Sequence, residues 1–282
     1  MNYSYDSVRA KIRNISKETG IKAAVLYNRY LLERFIARVA ASEHRDKIII
    51  KGGMLISAIT GFNMRSTNDL DATIRDYGAV NNVGAIINDI IGIDLNDHIH
   101  FILVRFEETV YDSNFPCFRT HLRARFGTMD AKAEIDITTG DAITPGEMTF
   151  GFPALLGDDT IPVLAYTPET VLAEKMTAIL DLSVINTRAK DFYDVYLLTS
   201  AHIQKVDRAI LKEAFANTIK RRNKERLMGD CKNIINQVIN SFDIQNQWKK
   251  YKHEYNFAAG IDFAQITNAL LIAFDWAGID VK

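Results

Sequence analysis

Asp69 and Asp71 set the first chemical expectation. They stand two apart in Asp69-Leu-Asp-Ala-Thr-Ile74, which reads as a strand. Alternate side chains on a strand share a face, so both carboxylates project together while Leu70 turns toward the core. Carboxylates paired in this way hold hard divalent cations through oxygen, which is magnesium chemistry. Upstream, Lys47-Ile-Ile-Ile-Lys51 reads as a buried strand that ends at Gly52-Gly53, and Met54 to Thr60 reads as a helix. Two glycines opening a helix bare backbone N–H groups, to which nucleotide phosphates bind. Taken singly these features are weak, since an Asp-x-Asp strand is often a polar face and a Gly-Gly turn often only a turn. The order strand, Gly-Gly, helix, polar loop, Asp-x-Asp strand is much more specific.

The elements around these motifs follow from periodicity. Residues from about 5 to 42 read as two helical segments broken at Thr19-Gly20. Gly61 suits a left-handed cap that stops the helix before it, and Asn63 to Asn68 form a polar loop. Val83 to Ile91 reads as a helix. Period-two alternation over His98 to Phe106, Cys117 to Phe126 and Lys132 to Thr138 predicts three more strands. Thr167-Pro168-Glu169 is a helix start, with Thr as cap and Pro at the first position, and the pattern beyond is helical almost to Lys282. The chain therefore reads as an α/β domain over 1–165, a mixed sheet with flanking helices, followed by an all-helical domain over 166–282.

Composition narrows the class. At 282 residues two domains are expected, and 48% hydrophobic with 24% charged residues describes a globular chain. No apolar run approaches the ~20 residues that cross a bilayer, and the first residues lack a signal-peptide core, so a cytoplasmic protein is expected. Cys117 and Cys231 lie far apart and read as buried thiols; His98 and His100, a lone close pair, read as surface residues. Net charge is −1, yet Lys205 to Lys252 holds twelve Lys/Arg against five Asp/Glu. Such a run is commonly a solvated helix face and is also compatible with RNA phosphates.

The motif order resembles the polymerase-β-like nucleotidyltransferase superfamily. The wider match is similar to the AbiEii/AbiGii toxin family of type IV toxin–antitoxin and abortive-infection systems. It rests on Tyr30-Leu-Leu-Glu-Arg-Phe35, Ile50-Lys-Gly-Gly-Met54, Arg65-Ser-Thr-Asn-Asp-Leu-Asp71, and Ala173-Glu-Lys175 with Arg188-Ala-Lys-Asp-Phe-Tyr-Asp194. Two departures point to a subfamily: fifteen residues separate Gly53 from Asp69, and Gly53 stands where many members have Ser.

The resemblance implies Mg²⁺ or Mn²⁺ held by Asp69, Asp71 and a third carboxylate on a later strand. Lys132-Ala-Glu-Ile-Asp-Ile-Thr138 puts Lys132, Glu134 and Asp136 on one face; Asp136 matches the family position, and Glu134 competes with it because alternation cannot separate them. It further implies an NTP substrate held by Lys51, Gly52, Gly53, Arg65, Thr67 and Lys175. The helical domain would bring Lys175, one turn into its first helix, together with Asp191 and Asp194 to the active-site cleft. Asp191 is the stronger candidate, as general base or positioning group; ion pairs of Asp191 and Asp194 with Arg188 or Lys190 are the plainer reading. The implied reaction moves NMP from NTP to RNA, with the tRNA 3′ end as a candidate acceptor, blocking growth or phage propagation. The implied partner is a cognate antitoxin that need not touch the protein. Transfer to a protein or small-molecule hydroxyl, and a catalytically idle nucleotide-binding module, are the alternatives.

A last feature comes from alternation alone. Arg119, His121, Arg123 and Arg125 share one face of the Cys117–Phe126 strand, and a turn over Gly127 to Asp130 joins it to the strand of Asp136. This basic row would either hold phosphates beside the metal site or defend an exposed sheet edge.

Overall fold

The computed structural model describes residues 3–75, 82–112, 115–200 and 206–281. They fall into two compact units, one of residues 1–141 with 148–165 and the other of 142–147 with 166–282. The first is α/β. Helices α1 (Tyr5–Thr19) and α2 (Ala23–Ala41) lead into β1 (Ile48–Lys51), α3 (Gly52–Thr60), β2 (Asp69–Ile74) and α4 (Val83–Ile91). Strands β3 (Ile99–Asp112), β4 (Phe115–Phe126), β5 (Met129–Thr139), β6 (Met148–Pro153) and β7 (Thr160–Ala165) complete it.

All seven strands form one mixed sheet in the order β3-β4-β5-β2-β1-β7-β6. The core faces of its two central strands explain that order. Ile48, Ile49 and Ile50 of β1 are all buried, as a strand with neighbours on both edges and cover on both faces requires. β1 runs antiparallel to β2 and parallel to β7, while β2 and β5 run parallel. α2 lays Leu26, Tyr30, Leu31, Phe35, Ile36 and Val39 into the core at helical spacing. Arg38 fastens its far end by two hydrogen bonds to Asp97, at 2.8 and 2.9 Å, and a third to the carbonyl of Ile99.

Several expectations change in detail. β3, β4 and β5 all extend beyond the alternating runs. β6 and β7 add two strands to those predicted, and they carry Pro153 and Pro162. Pro162 pairs with Gly151 of β6, and β7 meets β1 only from Leu164 onward, so the missing N–H falls where β7 has one neighbour. Gly61 does end α3 with a positive φ of 98°, but its ψ of 136° is extended rather than left-handed helical. Cys231 is buried as expected, whereas Cys117 is only half-buried.

The second unit is helical: α5 (Pro168–Leu182), α6 (Ala189–Thr199), α7 (Arg208–Arg221), α8 (Arg226–Gly229), α9 (Cys231–Ile239), α10 (Phe242–Glu254) and α11 (Phe263–Trp276). Thr167 caps α5 through its hydroxyl, with Pro168 at the first helical position. Segment 142–147 belongs here because the Thr144 amide donates to Thr170 Oγ1 and its carbonyl accepts from both Thr167 and Thr170. Buried Trp248 and Tyr193 stack between α10 and α6, and Tyr193 also stacks on Phe257. No described helix is long and apolar enough to cross a membrane.

Glu33, buried in α2, accepts the amide of Leu155 at 2.6 Å. Burial pushes its carboxyl up to about 7, against the opposing pull of that amide and of Arg29 and Arg34. The folded state therefore binds a proton more tightly than the unfolded chain, whose carboxyl titrates near 4.5. The associated stability is present below that pH and is lost as pH rises through about 7. Glu33→Gln, which keeps an acceptor for Leu155, should flatten the fall in Tm between pH 5 and 8 that the native protein shows. Parallel pH–Tm profiles for the two proteins would refute this.

Candidate active site

The sheet register brings the acidic candidates of the first unit together. Asp69 and Asp71 stand on β2 while Leu70, between them, is buried. On β5 next to it, Ala133, Ile135 and Ile137 are buried and Glu134 and Asp136 face outward. Parallel pairing sets Asp69 against Glu134 and Asp71 against Asp136. Four carboxylates thus occupy neighbouring positions on one face. Asp136 is the partner of Asp71, and Glu134 of Asp69, so both candidates for the third carboxylate stand beside the Asp69/Asp71 pair.

The Gly-Gly turn closes this group from the β1 side. β1 and β2 pair Lys51 with Asp71, and the chain then turns into α3 with Gly52 at φ +66°. A Cβ on Gly52 would lie 2.0 Å from Asp71 Oδ2, so only glycine admits both this backbone and the carboxylate above it. A Cβ on Gly53 would meet Thr67 Oγ1 at 2.9 Å and the Arg65 guanidinium at 3.2 Å. Thr67 donates to Asp69 Oδ1, and buried Arg65 donates to the carbonyl of Ser66. Asn28 of α2 holds the same loop through the carbonyl of Asn68. Lys51, the residue before α3, makes no side-chain cap hydrogen bond to it. Lys51 is buried with its Nζ 2.6 Å from Asp141 Oδ2, so its ammonium is committed to a carboxylate of the same unit.

The group consists of carboxylate oxygens alone, the ligand type that hard divalent cations take, on two adjacent strands, with one member oriented by a threonine hydroxyl and another packed over glycine.

The basic row on β4 is real but its surroundings differ from both expectations. β4 lies inside the sheet between β3 and β5, so it is no edge strand; β3 is the edge. Nor are its cations simply presented to phosphate. Arg119 binds Asp136 through two hydrogen bonds of 2.8 and 2.6 Å. His121 lies between Glu107, at 3.0 Å, and Glu134, at 3.4 Å. Arg123 pairs with Asp130, and Arg125 approaches the same carboxylate at 3.6 Å. The Asp136 hydrogen bonds and charge, with smaller contributions from Glu134 and Asp69, hold the Arg119 guanidinium well above its usual range.

In the helical unit, Lys175 is the eighth residue of α5, two turns in rather than one. Its Nζ lies 2.7 Å from Asp191 Oδ1 and 3.1 Å from Asp194 Oδ2, both buried on α6. Both aspartates thus pair with Lys175, across from α6 to α5. Asp191 Oδ2 is buried with no hydrogen-bond partner. In the basic run, Arg222 pairs with Glu174 and Lys224 with Asp181, both on α5, while Lys220, Arg226, Lys249 and Lys250 are exposed. Lys205 lies outside the described residues.

A family model described as "Nucleotidyl transferase AbiEii toxin, Type IV TA system" matches residues 34–277. The chain belongs to this family and is a nucleotidyltransferase. Two solved structures share the fold. JHP933 from Helicobacter pylori aligns with a TM-score of 0.53 and 14% identity, over 93% of this chain and 94% of its own. A second H. pylori structure, described as that of a candidate nucleotidyltransferase, aligns with a TM-score of 0.50 and 14% identity, over 93% and 97%. No curated protein sequence matches this chain.

Two outcomes follow from the geometry. Gly52→Ala forces a left-handed conformation on an L-residue, at about 1–2 kcal/mol, and drives its methyl into Asp71. It should abolish nucleotide binding in a calorimetric titration, whereas Gly146→Ala, whose added methyl meets nothing within 4 Å, should bind normally; equal binding by both variants would contradict the packing. Lys175→Met removes the cation that pairs with two buried aspartates and should cost about 3–5 kcal/mol in urea unfolding. Adding Asp191→Asn should restore part of that loss. A single variant as stable as the native protein would show that the pair carries little energy.

Proposed function

We propose that this nucleotidyltransferase moves a nucleoside monophosphate from an NTP to a hydroxyl of an RNA acceptor, with a divalent cation held by Asp69, Asp71 and Asp136. The observation that carries the proposal is the β2–β5 register, which sets these carboxylates side by side next to the Gly52-Gly53 turn. A Mg²⁺ or Mn²⁺ ion bound there would polarise a phosphoryl oxygen and neutralise developing charge.

The chain's own groups do the rest. Backbone N–H groups at the start of α3 receive triphosphate oxygens. Arg65 and Thr67 keep Gly53 and Asp69 in position for this. The acceptor oxygen bonds to the α-phosphorus as the bond to the β-phosphate oxygen breaks and pyrophosphate leaves, and Asp136 takes up the hydroxyl proton. In the helical unit, Asp191 and Asp194 set the position of the Lys175 ammonium, a point cation suited to phosphate. Positioning and charge stabilisation supply most of the catalysis in such transfers, so no covalent intermediate is needed.

RNA as acceptor is supported by the exposed Lys220, Arg226, Lys249 and Lys250 of the helical unit and by family membership. The tRNA 3′ end is the acceptor we favour, because its modification stops translation and so accounts for a toxin. Within a type IV system the partner is a cognate antitoxin.

Purified protein incubated with Mg²⁺, total RNA and each α-³²P-labelled NTP in turn should label an RNA band, and its size would name the acceptor. Asp69→Ala should lose several kcal/mol of transition-state stabilisation and with it all detectable label. Label on protein would replace RNA as the acceptor, and NTP binding without transfer to anything would overturn the proposal.

A further inference from the structure

Asp136 cannot serve a metal ion fully while Arg119 holds both of its oxygens. The two hydrogen bonds, 2.8 Å from Nε to Oδ1 and 2.6 Å from Nη2 to Oδ2, occupy the carboxylate edge-on, in a fork that guanidinium alone provides. The β4–β5 register sets this pair directly, Arg119 opposite Asp136, while the β2–β5 register sets Asp71 on the other side of Asp136. Arg119 is therefore bound directly to one member of the carboxylate group, and it also senses Glu134 and Asp69.

The environment makes this pair exchangeable. The Arg119 side chain is 48% exposed and that of Asp136 27%. Exposed ion pairs contribute little net stability, because water and salt screen them and ordering two side chains costs entropy. A divalent cation supported by several carboxylates outcompetes a contact of that strength. The rest of the row behaves differently: Arg123 is two residues away on the same face, but its partner is Asp130, near the hairpin turn.

Resting on the metal-site reading above, we propose that Arg119 is a displaceable occupant of Asp136. It stabilises the carboxylate group before metal binds and competes with the divalent ion for Asp136. Arg119 is thus a positioning residue for the empty site.

The test uses Mn²⁺ alone, without nucleotide or RNA, titrated into the full-length protein and followed by the EPR signal of the free ion. Arg119→Ala should tighten Mn²⁺ binding about fivefold. Arg123→Ala, which removes the same charge from the same face, should change it less than twofold. In an Asp136→Asn background the Arg119→Ala gain should disappear, since no carboxylate is left to contest. Arg119→Lys, which keeps the charge but loses the fork, should fall between the native protein and Arg119→Ala. Circular dichroism of each variant establishes that it is folded. Equal gains from Arg119→Ala and Arg123→Ala would reduce the effect to general charge and overturn the proposal. So would a gain that survives Asp136→Asn. Mn²⁺ binding that ignores Arg119 while labelled RNA still forms would sink this inference alone; no Mn²⁺ binding by any variant would sink the metal-site reading with it.

Discussion

The candidate active site depends on the parallel pairing of β2 with β5. That register places Asp71 beside Asp136 and Asp69 beside Glu134, and it is set from the opposite face of the sheet. There Leu70 and Ala72 on β2, with Ile135 and Ile137 on β5, are all buried. A slip of one residue on either strand would expose these apolar groups and turn its acids into the core, a change that burial energetics strongly opposes. Hydrophobic packing thus fixes a polar site whose members repel one another. Gly52 completes the constraint, since the turn after β1 has no room for a side chain beneath Asp71.

Gathering acids in one place needs compensation, and the two units provide it in different ways. In the sheet, β4 runs next to β5 and presents a cation or histidine to each outward acid in turn: Arg119 to Asp136, His121 to Glu134, Arg123 to Asp130. These pairs are exposed and individually weak, which leaves the carboxylates available for other partners. In the helical unit, Lys175 is held by two buried aspartates, a tighter arrangement that joins α5 to α6. There the energetic cost of a missing partner is large, so the lysine's position is well defined. Exposed pairing suits groups that must exchange ligands, and buried pairing suits a group whose placement must not vary.

Much of this was legible in the sequence, for identifiable reasons. The Asp69-Leu70-Asp71 alternation and the β-branched run of β1 report directly on face and burial, because the period of a strand is short and local. The mixed α/β class and the nucleotidyltransferase family followed from the order of those motifs. Cross-strand partners were not legible. That Arg119 meets Asp136 depends on the length of the β4–β5 turn, and that Asp136 meets Asp71 depends on a register set by distant residues. The same holds for Lys175, whose partners lie sixteen and nineteen positions later on another helix. Strands β6 and β7, which alternation did not single out, carry prolines that the sheet accommodates where one edge is unpaired.

Diffraction at the manganese edge, from crystals grown with Mn²⁺ and a non-hydrolysable NTP analogue, would test the central claim most directly. The account predicts anomalous density against Asp69, Asp71 and Asp136, with triphosphate oxygens at the Gly52-Gly53 turn. Ordered nucleotide with manganese elsewhere, or with none of these carboxylates among its ligands, would contradict it.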